Sequence, residues 1–116
     1  MAYDPGLADR VRAAVTAHGA RRGLRTDERR MFGGLAFMVR RKMTCGVVGE
    51  ELMARVGPSR HAQALEHPRA RPMDFTGRPM TGYVFISPAG CSTGRTLREW
   101  VAQAVDHVST LTHGPS

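Results

Sequence analysis

Met31-Phe32-Gly33-Gly34-Leu35-Ala36-Phe37-Met38-Val39 is the longest apolar run in the 116-residue chain. Charge brackets it, with Glu28, Arg29 and Arg30 before and Arg40, Arg41 and Lys42 after. The run is far too short to cross a bilayer, which takes about 20 apolar residues. Its length and its Phe and Val content favour a buried strand over a helix. Glycine weakens a strand through backbone entropy and lost packing, so an adjacent pair predicts a bulge, a bend or a close backbone approach. The expectation is one central strand over residues 31–39, kinked at Gly33-Gly34, with Met31, Phe32, Gly33 and Gly34 as its structural signature.

Working outward, three strands joined by tight turns follow one another. After the first, Arg41-Lys42 reads as a polar turn, Met43 to Val48 as the second strand, and Glu51 to Val56 as the third after a Gly49-Glu50 turn. Leu35, Phe37 and Val39 alternate onto one face, as do Leu52, Ala54 and Val56. This predicts an antiparallel meander over residues 28–56. At about 3.3 Å per residue, Arg29-Arg30 and Arg40-Arg41-Lys42 would stand roughly 30 Å apart at opposite ends of the first strand.

Helices flank the meander. Asp4-Pro5 is a helix start, with Asp as cap and Pro preset for the first turn, and the apolar spacing predicts a helix over residues 5–18, stopped by Gly19. The arginine-rich stretch 20–30 reads as a solvated connection. Gly57-Pro58 breaks the sheet, and residues 59–67 form a short helix with Ala62, Leu65 and His61 inward. Arg71-Pro72-Met73 is echoed by Arg78-Pro79-Met80; the prolines stiffen this segment as a loop or short edge strand. Residues 81–87 form the last strand. Thr93 caps a helix over 94–111, in which Leu97, Trp100, Val101, Ala104, Val105, Val108 and Leu111 make one apolar stripe. The fold class is therefore α+β, a two-layer arrangement of helices on an antiparallel sheet of about 4–5 strands, in one domain over residues 1–116 with 112–116 as a frayed tail.

Composition narrows the function. The N-terminus lacks the basic-then-apolar layout of a signal peptide, so the expected location is cytoplasmic, with no membrane contact. The two cysteines, Cys45 and Cys91, sit in no metal-spaced set and read as buried thiols. His61 and His67 miss the spacing of a helical metal pair, and His18 and His107 read as structural. No nucleophile elbow, phosphate loop, dinucleotide fingerprint or paired carboxylates are present, so neither a cofactor nor a catalytic residue is expected.

The formal net charge is +7, and one residue, Lys42, is the sole lysine among 17 basic side chains. That charge suits an anionic partner without specifying one.

The Arg30 to Phe37 core, Cys45-Gly46-Val47-Val48-Gly49, Leu52 to Pro58, the Arg69 to Met80 segment and Leu97-Arg98-Glu99-Trp100-Val101 occur in an order that resembles the TfoX/Sxy N-terminal domain family in its short stand-alone form. The resemblance covers roughly residues 3–110. It implies an antiparallel sheet with helices packed on it, in the broad class of type III secretion chaperone-like folds. Two-domain members are linked to competence regulation and act with a transcription factor; the expectation here is a stand-alone domain. The family brings no established catalytic residues. Some stand-alone relatives carry RNA-methyltransferase-like labels, but no cofactor site is recognised in this sequence.

Three functional readings result. The favoured one is a non-catalytic regulatory or adaptor module with a protein partner, a homodimer being one form of it. The second is a nucleic-acid binder using Arg21, Arg22, Arg25, Arg29, Arg30, Arg40, Arg41 and Lys42. It is less favoured because the long helices spend their apolar faces on the sheet and exposed aromatics are few. The third is an anion or small-molecule site organised by Arg71 and Arg78, with Arg69 beside them.

Overall fold

A computed structural model describes residues 3–31, 33–74 and 79–111. Phe32 and Arg78 lie outside the described residues, as does the 112–116 tail. In chain order the elements are α1 (Pro5–Arg21), β1 (Thr26–Met31), β2 (Gly34–Val39), β3 (Lys42–Val48), β4 (Glu51–Arg55), α2 (His61–Leu65), β5 (Ala70–Asp74), β6 (Pro79–Ile86) and α3 (Gly94–Ser109). Short 3₁₀ turns at Pro58–Arg60 and Pro88–Cys91 lead into α2 and towards α3. The six strands form one antiparallel sheet in the order β1-β2-β3-β4-β6-β5.

The α+β architecture agrees with the sequence reading, but the central strand does not. Residues 31–39 are two strands. Met31 ends β1 and pairs with Gly34, the first residue of β2, so the chain reverses between these two strands. Gly33 has φ +72°, the left-handed conformation that only glycine adopts without strain. Gly34 serves a different purpose: a Cβ there would lie 2.2 Å from the Val47 carbonyl oxygen of β3. Gly46 mirrors it, since a Cβ there would stand 2.7 Å from the Leu35 carbonyl oxygen. Two missing side chains therefore let β2 and β3 approach closely. A bulge does occur in this pair, but between Phe37 and Met38, away from the glycines.

The reversal turns the expected solvated connection into β1. Thr-Asp-Glu-Arg-Arg-Met has no apolar alternation, and its four central residues are exposed. It is an edge strand, and its charges discourage pairing with another chain. On the far side, the Arg-Pro-Met segment contributes β5 and the start of β6, and with β1 added the sheet has six strands, not the expected four or five. The β2–β3 turn is Arg40-Arg41, flanked by the Val39–Lys42 pair. Both arginines have positive φ, 53° and 66°. Tight hairpins require that geometry and usually fill it with Asn-Gly; an ordinary L-residue pays roughly 1–2 kcal/mol there.

All three helices lie on one face. Leu7, Val11 and Val15 of α1, Ala64 of α2 and the stripe of α3 join Leu35, Phe37, Val39, Cys45, Val47, Leu52, Ala54, Val84 and Ile86 in the main core. The capping residues act as expected. The Asp4 carboxylate accepts from the Gly6 amide at 2.9 Å, and the Thr93 hydroxyl accepts from the Thr96 amide at 3.1 Å. Trp100 anchors α3 in the core. Three boundaries change. α1 continues to Arg21, because Gly19 packs inside it against Thr26 and does not end it. α3 ends at Ser109. α2 begins only after the 3₁₀ turn, which rotates its inward residue to Ala64 and leaves Ala62 exposed.

The glycine pair predicts two distinct costs. Gly33→Ala meets open space and loses about 1–2 kcal/mol through its positive φ alone. Gly34→Ala must displace a backbone carbonyl and loses at least about 3 kcal/mol or fails to fold. Urea unfolding of both variants checks the order.

Candidate interaction surface

The second face of the sheet carries no helix among the described residues. The alternation that sends Leu35, Phe37 and Val39 towards the helices sends Ala36 and Met38 the other way, with Gly46, Met53 and Phe85 beside them in register. A second cluster forms there from Met53, Met73 and Phe85, with Met43, Val48, Met80 and Tyr83 half-buried around it. Arginines roof its aromatic rings. The Arg71 guanidinium stacks 4.6 Å from the Phe85 centroid and that of Arg55 stands 5.4 Å from Tyr83. Arg55 also donates to the Met43 carbonyl at 3.3 Å. The face thus has a methionine-rich centre under long, adaptable side chains.

The arginines separate into groups. Arg21 and Arg22 sit at the end of α1, facing α3: Arg21 meets the His18 ring at 3.2 Å, and Arg22 reaches Asp106 at 3.1 Å and Ser109 at 2.9 Å. Arg71 is held by Glu51, with its Nε donating at 3.0 Å, and this ion pair raises the Arg71 pKa. That carboxylate comes from β4. Half of the suggested Arg71–Arg78 clamp is therefore engaged, and Arg78 lies outside the described residues. Arg69 is exposed, and its Cβ and Cγ pack near Gly90.

Folding β1 back on β2 corrects the separation expected along a single strand. Arg30 stands opposite Leu35, about 17 Å from Arg40 along the strand and not 30 Å. At the other end Thr26 faces Val39, and the Arg25 carbonyl accepts the Arg40 amide at 3.1 Å. Arg25, Arg40 and Arg41 consequently line one depression of about 360 Å³ with Thr26 and Asp27. Arg25, Arg29, Arg30, Arg40 and Arg41 form no ion pair among the described residues. Lys42 opens β3 and is not free.

The thiols and imidazoles are engaged within the fold. Cys45 is fully buried, and desolvation pushes its thiol up to about 12, far from a nucleophile's range. Burial also raises the Cys91 thiol, partly countered by Arg10. Both cysteines are free. No group of His, Cys, Asp and Glu suited to a metal occurs among the described residues. His18 meets Asp106 at 2.9 Å, tying α1 to α3. His61 Nδ1 accepts the Gly82 amide at 3.0 Å. His67 meets Trp100 edge-on at 5.5 Å, in a groove of about 680 Å³ between α2 and α3. Arg12 holds the Glu28 carboxylate below its ordinary pKa through a hydrogen bond at 2.6 Å.

His107 is the exception with a consequence for stability. Its ring packs against Gly57, where a Cβ would come within 2.5 Å of Nδ1. Burial lowers its pKa, reinforced by Arg55 and Arg60.

No helix of the described residues is long and apolar enough to cross a membrane. The sequence model of the TfoX N-terminal domain matches residues 22–108, most of the chain. No curated protein and no solved structure matches.

The His107 shift sets a pH dependence. The unfolded chain takes up this proton first, near the ordinary 6.5, while the folded chain resists it. Stability therefore falls as pH drops from about 6.5 through the lower folded pKa. His107→Gln flattens that part of the profile, measured as the wild-type-minus-variant difference in unfolding free energy across the window.

Proposed function

The chain belongs to the TfoX N-terminal domain family, and from that premise we propose that it is a non-catalytic regulatory or adaptor module of the cytoplasm that binds an acidic protein through the helix-free face of its sheet. The observation that carries this reading is the makeup of that face: the half-buried Met43, Val48, Met80 and Tyr83 over a buried centre of Met53, Met73 and Phe85, with guanidinium groups over the rings. Interfaces favour this combination, with methionine and aromatic side chains at the centre and arginine enriched over lysine. Methionine also lets a surface repack against its partner.

Charge selects the occupant. Arg29 projects from the same face of β1 as Asp27, opposite Ala36, and has no acid partner among the described residues. With a net charge of +7, a second copy of the chain meets repulsion, whereas an acidic surface gains from the same arginines. Cys45, raised and enclosed, supplies no nucleophile to an enzymatic alternative.

A photo-crosslinking residue at Met43, compared with one at the exposed Arg98 of α3, tests the reading in cells. The expected result is a discrete adduct with an acidic protein from position 43 alone, lost in the Arg29→Glu background. Equal adducts from both positions, adducts only with a second copy, or an adduct indifferent to Arg29→Glu would overturn it.

A further inference from the structure

The depression at the β2–β3 turn has a chemistry of its own. Four arginines elsewhere are held by carboxylates: Glu28 and Asp9 take Arg12, Asp106 takes Arg22, Glu51 takes Arg71 and Glu99 takes Arg95. At this turn three arginines without such a partner among the described residues come together. Arg25, Arg40 and Arg41 share the lining with one carboxylate, Asp27, which makes no ion pair among the described residues.

The backbone makes the convergence deliberate. Arg40 and Arg41 both hold positive φ, in a turn that Asn-Gly would close without strain. The Arg25 carbonyl binds the Arg40 amide, so the approach to β1 is fastened to the turn. Strain that a structure maintains at a charged surface site is an observation from which function can be inferred.

We propose that Arg25, Arg40 and Arg41 form a binding site for phosphate groups. Guanidinium forks match phosphate oxygens in pairs, and three of them against Asp27 leave an excess of positive charge suited to a multiply charged anion. The phosphate belongs either to a nucleic-acid backbone or to a small phosphorylated molecule. This site stands apart from the protein-binding reading of the helix-free face, and either holds without the other.

The turn supplies its own clean variant. Arg40→Asn with Arg41→Gly removes two guanidinium groups and installs the sequence that the turn geometry prefers, so the fold is retained or strengthened. The full chain is titrated with pyrophosphate and with a fluorescein-labelled single-stranded oligonucleotide, between about 50 and 200 mM salt. The double variant is expected to melt no lower than wild type and to bind at least about tenfold more weakly. Arg95→Ala on α3 serves as the control for diffuse charge and is expected to bind as wild type does. If the oligonucleotide is the ligand, the double variant also loses about one to two from its salt slope. If a small phosphate is the ligand, pyrophosphate binds and shows the same loss while the oligonucleotide gains nothing over it. No binding of either probe to wild type at the lower salt overturns the proposal. So does a double variant that binds as wild type does, or an equal loss in Arg95→Ala.

Discussion

The fold depends on how closely β2 can approach β3. A side chain at residue 34 would run into the Val47 carbonyl, and one at residue 46 into the Leu35 carbonyl. With both positions glycine, the two strands lie together in register, and β2 becomes buried on both faces along its whole length. A doubly buried strand leaves no room for solvent on either side. The polar segment before it is therefore carried outward as an edge strand, and the meander after it continues inward. The reversal at Gly33 is the local consequence, since a left-handed residue lets the chain turn between the two.

The face chosen by the helices follows from the same pairing. Leu35, Phe37 and Val39, continued by Cys45, Val47, Leu52 and Ala54, offer branched and aromatic side chains that α1 and α3 can fit against. The opposite face holds Gly34, Ala36 and Gly46 along its centre, too small to key a helix. Its burial is supplied by flexible methionines and by arginines lying over rings. Adaptable side chains on one face and arginines without acids at one edge therefore come from one architecture.

Much of this was legible in the sequence where side chains declare their burial. Asp4-Pro5, Thr93 and the Leu97–Val108 stripe mark the two long helices because caps and apolar periodicity are local signals. β3 and β4 are legible for the same reason. β1 was not, because Thr26–Met31 gains its place through backbone pairing with β2 and carries no apolar alternation. The glycine pair looks like one device in the sequence, but its members do separate work: Gly33 needs its dihedral and Gly34 needs its missing Cβ. Ala64 replaced Ala62 because a 3₁₀ turn before α2 shifts the helical phase. The neighbourhood of Arg25 and Arg40 was hidden altogether. It exists only once β1 folds back, so residues that sequence spacing set far apart come to share one depression.

That fold-back is the central claim, and cross-strand backbone NOEs test it most directly. The structure predicts contacts along the whole register from Thr26 opposite Val39 to Met31 opposite Gly34, with the Arg40 amide protected by its bond to Arg25. Sequential contacts alone from Glu28 through Val39, with a rapidly exchanging Arg40 amide, would mean one continuous strand and would contradict both the edge position of β1 and the gathering of arginines at the turn.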